Sequence, residues 1–347
     1  MNTRSEHFSL WQYALLSILT FIVLCACICI GSVNVPLRDT LSVIGKSIQA
    51  LIQGKAQPTG LHAAIILSIR IPRVLCVALT GMALALAGAT MQGLLKNPLA
   101  DGSTLGVSSG AALGAVIAIA FGVRIPLLPF AGTMGMAILF AFLSLLMILA
   151  LAYKLDYSLS TNTIILIGVV FSMFVSSLMS IIITFAADRI QQITFWTMGS
   201  LQGKHYTDVL ILTAALIVFG GMIFFHTREL NAFAVSEENA RHIGVNVRRV
   251  RLTLLIAVSG LIGVCVSIGG TIGFVGLVTP HMARMLVGPN HRRLLPASLF
   301  GGALFLMLAD LIARILLDPI ELPIGVVTSL VGAVVFVIIF YRFRRGK

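Results

Sequence analysis

Apolar residues run along this chain in long blocks separated by short polar segments, from Leu10 to Tyr341. An α-helix rises 1.5 Å per residue, so about 20 consecutive apolar residues cross the hydrocarbon core of a bilayer. Ten blocks qualify as candidate spans: 10–33, 61–95, 104–122, 126–153, 162–187, 206–226, 250–269, 274–287, 293–315 and 322–341. The third and eighth are short and interrupted by glycine. No intervening polar stretch is long enough to fold separately, so residues 1–347 are expected to form one transmembrane domain. The predicted fold class is an all-α integral membrane protein with about ten transmembrane helices.

Two polar segments stand out. The segment 34–60 contains an amphipathic stretch, Thr40 to Ile52, suited to lie on a membrane surface. The segment 227–249 carries the punctuation of a short helix. Ser236 can cap its N-terminus, Glu237 and Glu238 favour the positive end of the dipole, Arg241 and His242 favour the negative end, and Gly244 supplies a left-handed C-cap. A helix of about seven residues is marginal alone in water, so a soluble partner is expected to hold it.

Composition agrees with a lipid environment: 58% of residues are hydrophobic and only 10% charged. The formal charge of +12 would suggest nucleic acid in a soluble protein. Here the positive-inside rule explains it, because 15 of the 24 Lys and Arg fall in segments on one side of the alternating spans, leaving no soluble basic face for nucleic acid. That count, which includes Arg4, Lys96, Lys154 and the tail through Lys347, places both termini in the cytoplasm. Cys25, Cys27 and Cys29 read as small hydrophobes in the first span, and no metal site is expected. The apolar run 10–33 is too long for a signal-peptide core and is expected to be a retained span.

Candidate chemistry is sparse. The fragment Gly45-Lys46-Ser47 lacks the glycine five positions before Gly45, where Thr40 stands, so no phosphate cradle forms and the chain does not itself hydrolyse ATP. No HExxH motif is present, and no enzyme is expected. Asp310 is the one clear intramembrane acid, which disfavours ion coupling. Arg314 follows it at i+4, so mutual neutralisation is one reading of both. Gly106, Gly110 and Gly114 form a small-residue stripe for close helix packing. A faint echo links Gly102-Ser103-Thr104-Leu105-Gly106 with Gly270-Thr271-Ile272-Gly273, each opening a short broken span, as expected where two repeats meet a translocation path.

Several segments together resemble the FecCD family of ABC importer permeases: 69–114 (IRIPRVLCVALTGMALALAGATMQGLLKNPLADGSTLGVSSGAALG), 195–203 (FWTMGSLQG), 238–247 (ENARHIGVNV), 273–284 (GFVGLVTPHMAR) and 321–336 (ELPIGVVTSLVGAVVF). The resemblance runs through nearly the whole chain and implies a type II ABC importer permease fold in a bacterial inner membrane. It implies coupling to an ATPase subunit dimer through Glu237, Glu238, Ala240, Arg241 and Gly244, the helix already deduced from its caps. Arg70, Arg73 and Arg314 match arginines that receive an extracytoplasmic binding protein, a role that competes with the Asp310 pairing. Asn97, Pro98, Leu99, Ser160 and Thr161 match the cytoplasmic gate, although Asn97-Pro98 also reads as a simple turn. A second permease subunit is implied, as homodimer or close paralogue. No cofactor is expected in this chain, since ATP and Mg belong to the partner ATPase. The cargo implied is a metal chelate, with ferric siderophore ranked first, haem second, cobalamin third and an oxyanion such as molybdate fourth; His62, His205 and His281 are the histidines that could touch haem. The rival hypothesis is a proton- or sodium-driven exporter of an amphipathic solute, and a non-transport scaffold ranks third.

Overall fold

A computed structural model describes residues 8–31, 35–54, 58–102, 105–123, 131–157 and 160–345. Every regular element among them is helical. In chain order they are α1 (Leu10–Cys29), α2 (Leu37–Gln53), α3 (Leu61–Ala64), α4 (Ile71–Leu94), α5 (Val107–Ala120), α6 (Ala131–Leu155), α7 (Thr161–Phe185) and α8 (Ile190–Thr197). There follow α9 (Tyr206–Ala215), α10 (Gly221–Phe225), α11 (Thr227–Val235), α12 (Glu237–His242), α13 (Val247–Gly269), α14 (Val275–Val287), α15 (His291–Ile315) and α16 (Ile324–Arg345). A π-helical turn at Ile65–Arg70 joins α3 to α4, and another at Leu216–Gly220 joins α9 to α10, so each pair runs as one continuous helix.

Among the described residues seven helices are long and apolar enough to cross a membrane, and two shorter apolar helices, Val107–Ala120 and Ile324–Ile339, accompany them. The ten expected spans are therefore not ten full-length helices. The difference lies at the glycine breaks: α5 has 14 residues and α14 has 13, about two-thirds of a crossing each.

The packing is inside-out by soluble standards. Helices α4, α13 and α15 are mostly buried, while α1, α6 and α7 expose Leu, Ile and Phe along most of their length, as lipid-facing helices do. The centre closes where backbones touch. A Cβ on Gly81 would stand 2.2 Å from the Gly302 carbonyl oxygen, and one on Gly88 would stand 1.9 Å from that of Gly276. These positions therefore accept only glycine, and they seat α15 and α14 on α4. The expected stripe behaves the same way: Gly110 abuts Ser144 and Gly114 abuts the Met136 carbonyl, so α5 lies on α6. The amphipathic stretch forms α2, tied to α3 by His62 and Asp39 at 3.0 Å.

Candidate translocation and coupling site

The functional side chains fall at the two ends of the bundle and at its breaks. One end gathers Arg248, Arg249, Arg251, Arg284, Arg292 and Arg293, and there the polar segment 227–249 folds into α11 and α12. The caps of α12 form as its residues dictate. Ser236 Oγ accepts the Asn239 N–H at 2.9 Å. The Gly244 N–H donates to Arg241 O, and the Val245 N–H to Ala240 O, both at 3.0 Å, with Gly244 at φ 84°. This is the paired C-terminal closure that a left-handed residue permits. Ala240 is fully buried, and Glu237 forms an ion pair with Arg251, itself only 2% exposed.

That pairing corrects the sequence reading in one respect. The chain itself holds α12, through α11 and α13, and needs no partner to do so. Glu237 is engaged from within, whereas Glu238, Arg241, His242 and Gly244 remain exposed beside Val235 and Ile243, both more than two-thirds exposed. A patch of mixed charge ringed by two large aliphatic side chains is a surface made for protein contact.

The expected gate residues form two turns, each closed by its own neighbours. Asn97 Oδ1 accepts the Leu99 N–H at 2.9 Å and Asn97 O accepts the Ala100 N–H at 3.0 Å, leaving Pro98 and Leu99 exposed. Ser160 caps α7, with Thr161 as its first residue. Asp156 Oδ2 accepts from Ser160 N–H and from Thr163 Oγ1, both at 3.1 Å, and the Ser160 and Thr163 hydroxyls lie 2.8 Å apart. Next to this knot Arg248 sits 4.8 Å from the Tyr153 ring and 5.0 Å from that of Tyr157, linking α13 to the end of α6. The hydrogen bond with Tyr153, and then the guanidinium of Arg248, draw the Tyr157 hydroxyl below its ordinary pKa.

Midway along the bundle the two breaks meet. A cavity of about 240 Å³ is lined by Asp101 and Gly102 from the first, Thr271 and Gly273 from the second, and Ser108 and Met179. Ser103 and Thr104 of the first break lie outside the described residues. Both short helices are entered through a left-handed residue, Gly106 at φ 72° and Phe274 at φ 66°. The second break is moored to the end of α8, where the Ser200 N–H donates to Gly269 O at 2.8 Å and Thr271 Oγ1 donates to Thr197 O. Irregular backbone at this depth is tolerated where it lines a cavity.

The opposite end carries a buried ion network. Asp310 Oδ1 accepts from Arg73 Nε and Nη2 at 3.1 and 2.9 Å, and Asp310 Oδ2 faces Arg314 Nε at 3.0 Å. Glu321 takes a further Arg73 nitrogen at 2.8 Å. Arg314 also donates to Cys27 O and Ile30 O, and Arg70 to Ile28 O and Cys29 O, so two arginines cap the last carbonyls of α1. Arg70, Arg73 and Arg314 are each at most 8% exposed. In this arrangement the three arginines expected to receive a binding protein offer little accessible charge, with Arg73 and Arg314 paired to Asp310 and Arg70 to the end of α1. The histidines considered for haem are placed apart. His62 pairs with Asp39, the His205 N–H is taken by Asp208, and the His281 ring lies 6.4 Å from that of Phe336.

With this geometry in place, the similarities are specific. The FecCD transport family matches residues 19–342. The chain belongs to the FecCD transport family. An uncharacterized ABC transporter permease protein of Bacillus subtilis, YvrB, is 40% identical over 316 residues, 91% of this chain and 89% of that protein. The hemin transport system permease protein HmuU of Yersinia pestis is 36% identical over 286 residues, 81% of this chain and 84% of that protein. A metal-chelate type ABC transporter solved in an inward-facing conformation superposes with a TM-score of 0.81 at 30% identity, covering 94% of this chain and 97% of that one.

This FecCD chain is thus a multi-pass membrane protein with the fold of an ABC permease. Sequence reasoning missed Arg251 and Asp156, which act on Glu237 and Ser160 from positions with no local motif. It also missed Arg73 and Glu321 as partners around Asp310. Arg4 and Lys347, used in the topology count, lie outside the described residues.

Proposed function

We propose that this chain is the transmembrane half of an ABC importer for a metal chelate, with a ferric siderophore as first candidate cargo and haem and cobalamin next. Its power comes from ATP hydrolysis in a separate ATPase dimer, which holds ATP and Mg and docks on the exposed face of α12. The observation that carries this reading is the exposed patch of Glu238, Arg241, His242 and Ile243 on a helix fixed from below by Glu237 and Ala240. A rigid lever with a free outer face transmits the motion of a partner; a floppy loop does not.

Other features support the same reading. The Arg-rich end faces the cytoplasm by charge bias, with both termini there. An extracytoplasmic binding protein then delivers cargo at the end that holds α2 and the Asp310 network. Helix α7 exposes Ser176, Ser180 and Thr184, a hydroxyl stripe at i, i+4 and i+8. Such a stripe suits a water-lined path between two permease subunits, a homodimer in the simplest case, better than it suits lipid. The gates are the Asn97–Leu99 turn and the Ser160–Thr161 cap at the start of that helix. The walls of the 240 Å³ cavity carry little charge, which suits passage of a bulky neutralised chelate. An ion-driven exporter is less favoured, because the intramembrane acid Asp310 is held in ion pairs with two guanidinium groups of this chain.

Reconstitution of the chain with its ATPase in liposomes is expected to give uptake of a ferric chelate that stops when ATP is depleted and continues in the presence of an uncoupler. Uptake or efflux that persists without ATP and stops with the uncoupler contradicts the proposal.

A further inference from the structure

Helix α14 carries a proline, Pro280, within its length. A proline has no N–H to give the carbonyl one turn back, and its ring crowds that carbonyl. In α14 the carbonyl concerned belongs to Gly276, a residue that lines the 240 Å³ cavity. The first turn of the helix, between the break at 270–273 and the proline, is thus left with an acceptor that Pro280 cannot serve.

The donor comes from another helix. Gln92 Nε2, in the last turn of α4, donates to Gly276 O at 3.3 Å and to Leu277 O at 3.1 Å. Two carbonyls on one side fix the orientation of the amide, because only its NH2 end can face both. Gln92 is 3% exposed, and its Oε1 is buried with no partner among the described residues, so the amide is held by its NH2 end. Backbone contact brings the two helices this close. A Cβ on Gly276 would stand 2.9 Å from Leu84 O, and Gly88 abuts the same residue. Leu84, Gly88 and Gln92 follow one another at i, i+4 and i+8, so one ridge of α4 carries the first turn of α14.

The positions of these two ends give the contact its reach. Helix α4 stops at Leu94, and the Asn97–Leu99 turn follows directly. Helix α14 starts from the second break, whose Thr271 and Gly273 line the cavity. Gln92 therefore stands between the turn assigned to the gate and the broken segment beside the cavity. A proline inside a helix is a point of bending, and the Gln92 amide holds the turn before that point against the helix that bears the gate.

Resting on the importer reading above, we infer that Gln92 is a positioning residue for transport: its side-chain amide stands in for the N–H that Pro280 lacks, and so ties bending of α14 at the cavity to movement of the gate turn. An N–H from within α14 would satisfy Gly276 without touching α4. A donor lent by α4 makes the two helices move together. Without it, α14 bends independently of the gate turn, and ATP is hydrolysed without cargo crossing.

The test uses the full transporter and three variants: Gln92→Met, of similar volume but with no donor; Pro280→Ala, which returns the N–H to the helix; and the two combined. Gln92→Met is expected to lower the thermal midpoint by about 2 °C, the scale of one buried hydrogen bond. In the Pro280→Ala background the same change should cost less than half as much, because Gly276 O is then paired within α14. Chelate taken up per ATP hydrolysed should fall roughly ten-fold in Gln92→Met. It should stay low in the combined variant, because the restored N–H does not reach α4. Recovery of uptake per ATP together with stability in the combined variant would make Gln92 a structural partner of α14 alone and overturn the inference. Equal midpoint losses with and without Pro280 would overturn it too, since the amide would then not be replacing the missing N–H. The midpoints are read without cargo, so a failure of the importer reading, seen as ATP-independent uptake by the unmodified transporter, is told apart from a failure of the Gln92 contact.

Discussion

Asp310→Ala is expected to destabilise the folded chain by about 3–5 kcal/mol, the cost of leaving buried charges without their counterion. Arg73 and Arg314 are 9% and 3% exposed at their side chains and converge on this one carboxylate. Removing it leaves Arg73 with Glu321 alone and strands Arg314 against the carbonyls of α1. The thermal midpoint of the purified protein in detergent, with the monodisperse fraction after mild heating, reports the loss. Asp310→Ala combined with Arg314→Met should recover part of it, because the stranded guanidinium is gone. An unchanged midpoint for Asp310→Ala would show that the network is not the clamp described.

The second large effect is expected at α12, and there the sign separates function from folding. Glu238→Lys with Arg241→Glu inverts the exposed charges without touching the buried face. ATP-driven uptake should fall at least about ten-fold while the thermal midpoint holds, since misplaced charge at a docking surface acts on association. Glu237→Lys should behave differently: it places a second cation against buried Arg251 and lowers stability as well as uptake. Equal stability losses for all of these variants would make α12 a structural strut with no docking role.

The contrast between these two regions shows what the sequence could express. The caps of α12 lie within nine consecutive residues, 236 to 244, and local rules for helix ends place each one correctly. The Asp310–Arg314 pair was legible for the same reason, as neighbours one helical turn apart. Arg73 and Glu321 stand 237 and 11 positions from Asp310, Glu321 across a helix end, and no periodicity connects them. With the last carbonyls of α1, which Arg70 and Arg314 reach, these contacts leave all three arginines satisfied within the chain. The fold class followed from apolar blocks alone, but the count of crossings did not. Glycine breaks at 102–106 and 270–273 mark where helices start anew, and a sequence does not say whether a helix that restarts does so at the surface or at mid-depth. The Gly81–Gly302 and Gly88–Gly276 crossings are similar: each glycine is visible, while its partner is set by tertiary packing.

Everything functional in this reading turns on which side of the membrane α12 lies and what touches it. Ile243, 71% exposed at the end of α12, is the position to label. In a background with the five native cysteines replaced, Ile243→Cys should cross-link to the ATPase subunit in inside-out vesicles and stay unreactive to an impermeant thiol reagent applied to intact cells. Labelling from outside the cell, or the absence of any cross-link to the ATPase in a complex that still transports, would contradict the assignment of α12 as the coupling helix.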